Sequence, residues 1–296
     1  MNKDQLKTRL QTLPFFKGGI DLKFIEGFMT NDSYIATDDN NRYIVKIEGN
    51  KYYGVTRSHK IKASQAGYRA GVSPKVIYYD DRILIFEYIH SNHLTPEKIR
   101  EKETLKSLIS LIKIVHKEVV NFLEGPNLSN GIFQMINKQI FYLKEKNSPY
   151  TDKLNNFIKD CEIFRRESKS HKTVFTHNDF YYKNILYDDK KLWLIDWEFS
   201  GFNSPFLDLA NVSKNNELSE DDDNFILEEY YGDSFDSNFK YKFHMLKCVS
   251  LLNGVLWSMI SEIFSEKVFD YVSYTNKMLK RYEKQFDYYN SLRISI

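Results

Sequence analysis

Apolar and polar positions change their rhythm at about residue 90, and that change divides the chain into two kinds of structure. Before it the pattern is mainly that of short strands separated by turn residues. Residues 42–47 alternate, with Tyr43, Val45 and Ile47 on one face and Lys46 on the other, after the polar turn Asp38-Asp39-Asn40-Asn41. One charged side chain therefore points at whatever lies opposite the apolar face. A helical stretch over 57–70 interrupts the strands and stops at Gly71, with Pro74 soon after. Residues 76–79 and 83–89 then predict a second strand pair around Asp80-Asp81.

After about residue 95 the period becomes helical. Thr95-Pro96-Glu97 reads as a cap followed by proline at the first helical position, and Leu105, Leu108, Ile109, Ile112 and Val115 recur at helical spacing. Ile132, Met135, Ile136, Ile140 and Leu143 mark another helix, and helical patterns return from about Asn224 to the end. Between them lies one short strand pair, 184–187 and 192–195, joined by Asp188-Asp189-Lys190-Lys191. The acidic run from Ser219 to Asp223 reads as a solvated turn or a helix start. The organisation expected is α+β: residues 1–90 form a small antiparallel-sheet lobe with one helix, and residues 91–296 a larger, mainly helical lobe.

Composition narrows the functional classes. With 42 Lys+Arg against 40 Asp+Glu the net charge is +2, too balanced to suggest a polyanion surface, so no nucleic-acid partner is expected. An apolar share of 42% with 22 Phe and 21 Tyr argues for folded cores, and most of these rings are expected there. Cys161 and Cys248 stand alone, which speaks against a disulfide framework or a zinc site. Neither a signal peptide nor a segment of membrane-spanning length is evident, so a cytoplasmic protein without membrane insertion is expected.

The chemistry concentrates in His177-Asn178-Asp179-Phe180-Tyr181-Tyr182-Lys183-Asn184, an HxDxxxxN segment, and in Asp196 at the end of the following hairpin. Phosphoryl transfer requires a carboxylate that orients a hydroxyl and takes its proton, and oxygen ligands that hold magnesium on the phosphates. Asp179 suits the first task, and Asn184 with Asp196 the second. His177 is expected to brace the loop by hydrogen bonds rather than transfer a proton.

These segments resemble the choline and aminoglycoside kinases, whose fold is related to that of protein kinases; the nearer likeness is to choline/ethanolamine kinases. The resemblance implies a two-lobed protein-kinase-like fold that uses ATP and Mg2+. It implies that Gly27-Phe28-Met29-Thr30-Asn31 covers the phosphates, with Thr30 and Asn31 in contact, and that Lys46 meets them. Glu87-Tyr88-Ile89-His90-Ser91-Asn92-His93-Leu94 is similar to the hinge, with Glu87 and the backbone near Ile89 at the adenine. Ile195-Asp196-Trp197-Glu198-Phe199 and Asp208-Leu209-Ala210-Asn211 continue the likeness. Trp257, Phe269 and Tyr274, with Phe199 as a fourth wall, resemble an aromatic cage for an ammonium group.

Two positions depart from the family pattern. Where a helix glutamate would pair with the strand lysine, Arg57-Ser58-His59-Lys60 offers Lys60, which leaves Glu48 or Glu87 as substitutes. The acidic residue expected after Asp-Leu-Ala-Asn is replaced by Lys214-Asn215-Asn216-Glu217, with Glu217 the available carboxylate. The function expected is ATP- and Mg-dependent phosphorylation of a small amino alcohol, choline or ethanolamine. The alternatives are another amine-bearing acceptor such as an aminoglycoside or thiamine, and a pseudokinase that binds without turnover. Oligomeric state is left open, a homodimer being one form.

Overall fold

The computed structural model describes residues 1–26, 32–47, 56–125, 131–168, 172–265 and 269–294. Helix α1 (Lys3–Gln11) is capped by Asn2, whose side chain accepts from the Gln5 amide while the Gln5 side chain accepts from the Asn2 amide. It contributes Leu6 and Leu10 to a core that the sheet completes. Strands β1 (Asp21–Ile25), β2 (Asp32–Thr37) and β3 (Arg42–Ile47) lead to α2 (Arg57–Arg69), then β4 (Val76–Tyr79) and β5 (Ile83–Glu87). The sheet is antiparallel in the order β1-β2-β3-β5-β4. The alternation in β3 sets its two faces: Val45 and Ile47 join Ile83, Ile85, Leu22 and Ala36 in the core beneath α1. Lys46 pairs in register with Ser33 and Leu84, on the opposite face, and is buried there.

The rest of the chain surrounds a second, larger core. Strand β6 (Asn92–His93) precedes a 3-10 turn at Lys98–Arg100 and α3 (Lys102–Lys117), so the helix expected from Thr95 begins later. Thr95 still caps, its hydroxyl accepting from the Lys98 amide at 3.1 Å. Helices α4 (Ile132–Glu145) and α5 (Thr151–Glu167) follow, then β7 (Val174–Thr176), β8 (Ile185–Tyr187), β9 (Leu192–Leu194) and β10 (Gly201–Asn203). These strands form two small sheets, β6-β8-β9 and β10-β7. Helices α6 (Pro205–Asn216), α7 (Glu220–Tyr231), α8 (Ser237–Phe264) and α9 (Tyr271–Ile294) complete the fold. Ala63 and Ala66 of α2 belong to this larger core, where the helix packs on the turn at Val119–Phe122 and on Trp197.

Three elements depart from the pattern expected of the sequence. Helix α1 shows only two buried leucines, too few to announce a period. Helix α6 turns Asp208, Asn211, Ser213 and Asn216 inward, so its buried face is partly polar and hides from a search for apolar spacing. Helix α5 buries Leu154, Phe157, Cys161 and Phe164 among a polar majority. The acidic run is a helix start, with Ser219 and Asp222 capping each other, but Asp223 is buried and pairs with Lys247 at 2.5 Å. Helix α8, at 28 residues, does reach membrane-spanning length and apolarity, yet 78% of its most apolar window is buried inside the protein, as befits a central core helix.

Candidate active site

The loop between β7 and β8 is held from below by one carboxylate. Asp208, in the first turn of α6, is fully buried; its Oδ2 accepts from the His177 amide at 2.9 Å and its Oδ1 from the Asn178 amide at 2.7 Å. His116 of α3 donates to the same Oδ2 at 3.0 Å, and its other ring nitrogen meets the Tyr230 hydroxyl at 2.8 Å. Charge-assisted bonds of this kind are about twice as strong as neutral ones, which suits a loop that must present a fixed geometry. Asn178 sits in the left-handed region at φ 67° and donates from Nδ2 to the Phe199 carbonyl at 2.8 Å. His177 donates from Nε2 to the Ile195 carbonyl at 3.1 Å and accepts at Nδ1 from the Asp179 amide at 3.3 Å. Burial pushes its pKa down to about 4, so the ring is neutral and both nitrogens serve the loop.

Asp179 thereby faces Asn184 and Asp196. Asn184 donates from Nδ2 to Asp179 Oδ2 at 2.8 Å and to the Asp179 carbonyl at 3.1 Å, while Asn215 donates to Oδ1 at 3.3 Å. Burial pushes the Asp179 carboxyl up to about 6, against the pull of the Lys214 ammonium and with the push of Asp196. Lys214 is in turn brought down to about 8 by burial, Asp179 opposing, and its ammonium lies 3.4 Å from the Ser250 carbonyl of α8. Asn216 fastens the next turn, accepting from the Tyr182 amide at 3.0 Å and donating to the Phe180 carbonyl at 3.2 Å.

Asp196 follows β9 in the left-handed region, at φ 71° and ψ 64°. A non-glycine residue held there costs on the order of 1–3 kcal/mol, and the neighbouring bond from the Ile195 amide to the Asn184 carbonyl at 3.0 Å locks the two metal-ligand candidates side by side. Burial alone would raise the Asp196 carboxyl, but Lys46 and Lys60 outweigh it and hold the group below the usual range. Lys46 Nζ lies 3.2 Å from Asp196 Oδ1, and Lys60 Nζ lies 4.0 Å from that oxygen and 3.4 Å from Glu198 Oε2. Burial and the charge on Asp196 push Glu198 up to about 7, with Lys60 opposing. Asp196 Oδ1 is buried and held by ion pairing rather than by an aligned hydrogen bond, and Asn184 spends its Nδ2 on Asp179, leaving its carbonyl oxygen to accept. A carboxylate and an amide oxygen fit Mg2+, which prefers one or two such ligands completed by phosphates and water.

The nucleotide contacts expected elsewhere divide unevenly. Thr30 and Asn31, with the rest of the turn from Gly27, lie outside the described residues, as does Glu48. Lys46 stands beside Asp196, and Glu87 lies farther along the sheet, in register with Tyr43. Glu87 closes β5, its amide donating to the Lys75 carbonyl at 2.9 Å and its carboxylate accepting from the Lys75 amide at 3.3 Å. Ile89 is half-buried just beyond, its carbonyl accepting from Ser91 Oγ at 3.2 Å. A cavity of about 660 Å³ lined by Arg42, Lys75, Glu87, Tyr88 and His90 includes none of Asp179, Asn184 or Asp196.

Three of the expected cage rings gather at the start of α9. Trp257 of α8 lies 6.3 Å from Tyr274 between ring centroids, and Phe269 lies 5.8 Å from Tyr274. Tyr271, which the sequence reading passed over although it stands two residues after Phe269, joins them at 6.1 Å from Trp257 and 4.9 Å from Phe269. Burial raises the Tyr274 phenol, Arg281 opposing, and the charge on Asp179 adds to the rise, so this wall is within electrostatic reach of the base. Phe199 is half-buried on the turn after Asp196, tied to the catalytic loop through its carbonyl. Glu217 is committed elsewhere: it caps α6 in the left-handed region and pairs with Lys277 at 2.9 Å and Arg281 at 3.7 Å.

This chain is similar to known proteins over most of its length. A family model described as choline/ethanolamine kinase matches residues 22–226, which include Lys46, Asp179, Asn184 and Asp196 but stop short of Trp257. Protein LicA of Haemophilus influenzae is 23% identical over 263 residues, covering 85% of this chain and 96% of that one. A choline/ethanolamine kinase family protein from Mesorhizobium loti superposes with a TM-score of 0.80 at 20% identity, over 99% of this chain and 100% of that chain. A crystal structure of LicA in complex with AMP gives 0.76 at 21% identity, over 97% and 98%. At these identities the two structures speak for the fold.

Proposed function

The chain belongs to the choline/ethanolamine kinase family, and we propose that it transfers the γ-phosphoryl group of ATP to the hydroxyl of choline in preference to ethanolamine. The observation that carries the choice of acceptor is the ring cluster of Trp257, Phe269, Tyr271 and Tyr274, whose Tyr274 is within electrostatic reach of Asp179, with Glu217 already paired to Lys277 and Arg281. A quaternary ammonium donates no hydrogen bond, so ring faces satisfy it; a primary ammonium asks for acceptors such as carboxylates. Lys214 and Asn215 occupy the stretch where a carboxylate was expected, and both face the base. The walls therefore favour the methylated head group.

In this reading Asp179 orients the acceptor hydroxyl and takes its proton as the oxygen bonds to phosphorus and ADP departs. Asn184 and Asp196 hold Mg2+, which when bound neutralises phosphate charge and fixes the transferring group in line. Lys46 meets the phosphates, Thr30 and Asn31 cover them, and Glu87 with the backbone near Ile89 borders the adenine. Residues before about 90 bind nucleotide, and those after it bind the acceptor and carry out transfer. Phe199 closes the acceptor pocket on the side of the metal turn. The test is the ratio of kcat/KM for choline over ethanolamine, measured by ADP release with saturating ATP and magnesium. A ratio above about ten is expected, as each methyl group in a fitted pocket contributes about 1–3 kcal/mol; equal or inverted values would refute the assignment.

A further inference from the structure

Lys60 reverses the charge expected in the first turn of α2, yet it is buried in the metal site rather than turned to solvent. Among the described residues Lys46, Lys60, Asp196 and Glu198 meet there, with side-chain exposures of 5%, 5%, 14% and 8%. Each of these ammoniums stands against a carboxylate, and buried ions are tolerated when they are paired in this way. Removing one leaves its partner buried and unbalanced.

The cluster is also mechanical. Helix α2 grips the turn that follows Asp196 at three successive places. Lys60 reaches Glu198; His59 Nε2 lies 2.7 Å from the Ser200 carbonyl; and Gly67 admits Trp197 so closely that a Cβ would stand 2.7 Å from the indole ring. Asp196, in its left-handed conformation, is the residue that enters this turn. Its direction is therefore set by how α2 holds Trp197, Glu198 and Ser200.

We propose that Lys60 is a positioning residue for Asp196: by pairing with Glu198 and standing beside the Asp196 carboxylate, it aims that carboxylate at the magnesium–nucleotide complex, so that a helix-to-turn pair of reversed polarity replaces the usual helix-to-strand pair. This rests on the reading that Asp196 holds the metal. It makes Lys60 and Glu198 one unit, whose two losses do not add.

Calorimetric titration of Lys60→Met, Glu198→Gln, the double variant and Lys60→Arg with ADP, with and without Mg2+, tests it, with thermal unfolding in parallel. Each single neutral substitution is expected to weaken MgADP binding about tenfold while metal-free ADP changes by less than about threefold, and the double variant to bind no worse than the weaker single. Lys60→Arg keeps the charge and is expected to stay within about threefold of the parent. Equal loss with and without magnesium, additive losses in the double variant, or unchanged MgADP binding in Lys60→Met would each overturn the proposal. If Lys60→Met fails to fold, Glu198→Gln and Lys60→Arg decide by the same measurements. A parent protein that does not bind MgADP would refute the metal reading itself, whereas binding by the parent and by Lys60→Met alike would refute Lys60 alone.

Discussion

The Asp179 carboxyl accepts a proton only when ionised, and burial has raised it to about 6. Turnover is therefore expected to fall as pH drops through about 6 and to level off above it. Lys214 favours the ionised form, so Lys214→Met should move this acidic limb to higher pH while Lys214→Arg leaves it nearly in place; a limb that does not move in Lys214→Met would remove Lys214 from the account. Asp179→Asn is expected to lower kcat by about 10²–10⁴ with the melting temperature kept, as read from steady-state rates and calorimetry. Asp179, Asn184 and Asp196 were legible in the sequence because one loop and one hairpin supply all three at fixed spacing. The pairings of Lys46 with Asp196 and of Lys60 with Glu198 were not, since those carboxylates are distant in the chain and no local pattern ties them to β3 or α2.

Elements deliver these side chains, and their packing can be probed away from the chemistry. Gly67→Ala places a methyl group within 2.7 Å and 2.9 Å of the Trp197 ring and 3.0 Å of Ser73 Cβ. Trp197 is fully buried and donates to Ser73 Oγ at 3.1 Å, so it has little room to move. Overpacking of this kind costs about 1–3 kcal/mol, to be read from urea unfolding, and unchanged stability would show that α2 can slide. Asp208→Ala leaves two loop amides and His116 without their acceptor and is expected to cost about 3–5 kcal/mol in the same assay. Strands β3, β4 and β5 of the first sheet and the 185–194 hairpin were readable because apolar runs and polar turns coincide, whereas β1 and β2 were not assigned. Helix α6 was not, because the groups it buries are the polar ones that hold the catalytic loop; only the Asp208-Leu209-Ala210-Asn211 likeness marked it.

For the whole molecule, the proposed function divides recognition between the ring cluster and the charged cluster. Trp257→Ala is expected to raise the KM for choline about tenfold or more and to leave the KM for ATP unchanged, as a desolvated cation–ring contact contributes about 2 kcal/mol. A matching rise for ATP would mean that the helix pair α8–α9, rather than the ring, had been disturbed. The two-lobed plan was legible because strand patterns dominate before about residue 90 and helical ones after it. The allegiance of α2 was not, for its place in sequence lies among the strands while Ala63 and Ala66 belong to the larger core and the helix packs on Trp197. That allegiance means the two ammoniums reach one carboxylate oxygen from different cores, Lys46 from the sheet and Lys60 from a helix packed beside Trp197. Arg57 Nη2 on the Ile83 carbonyl at 2.8 Å fastens that helix to β5 as well, so Asp196 is clasped from both sides of the seam between the two cores.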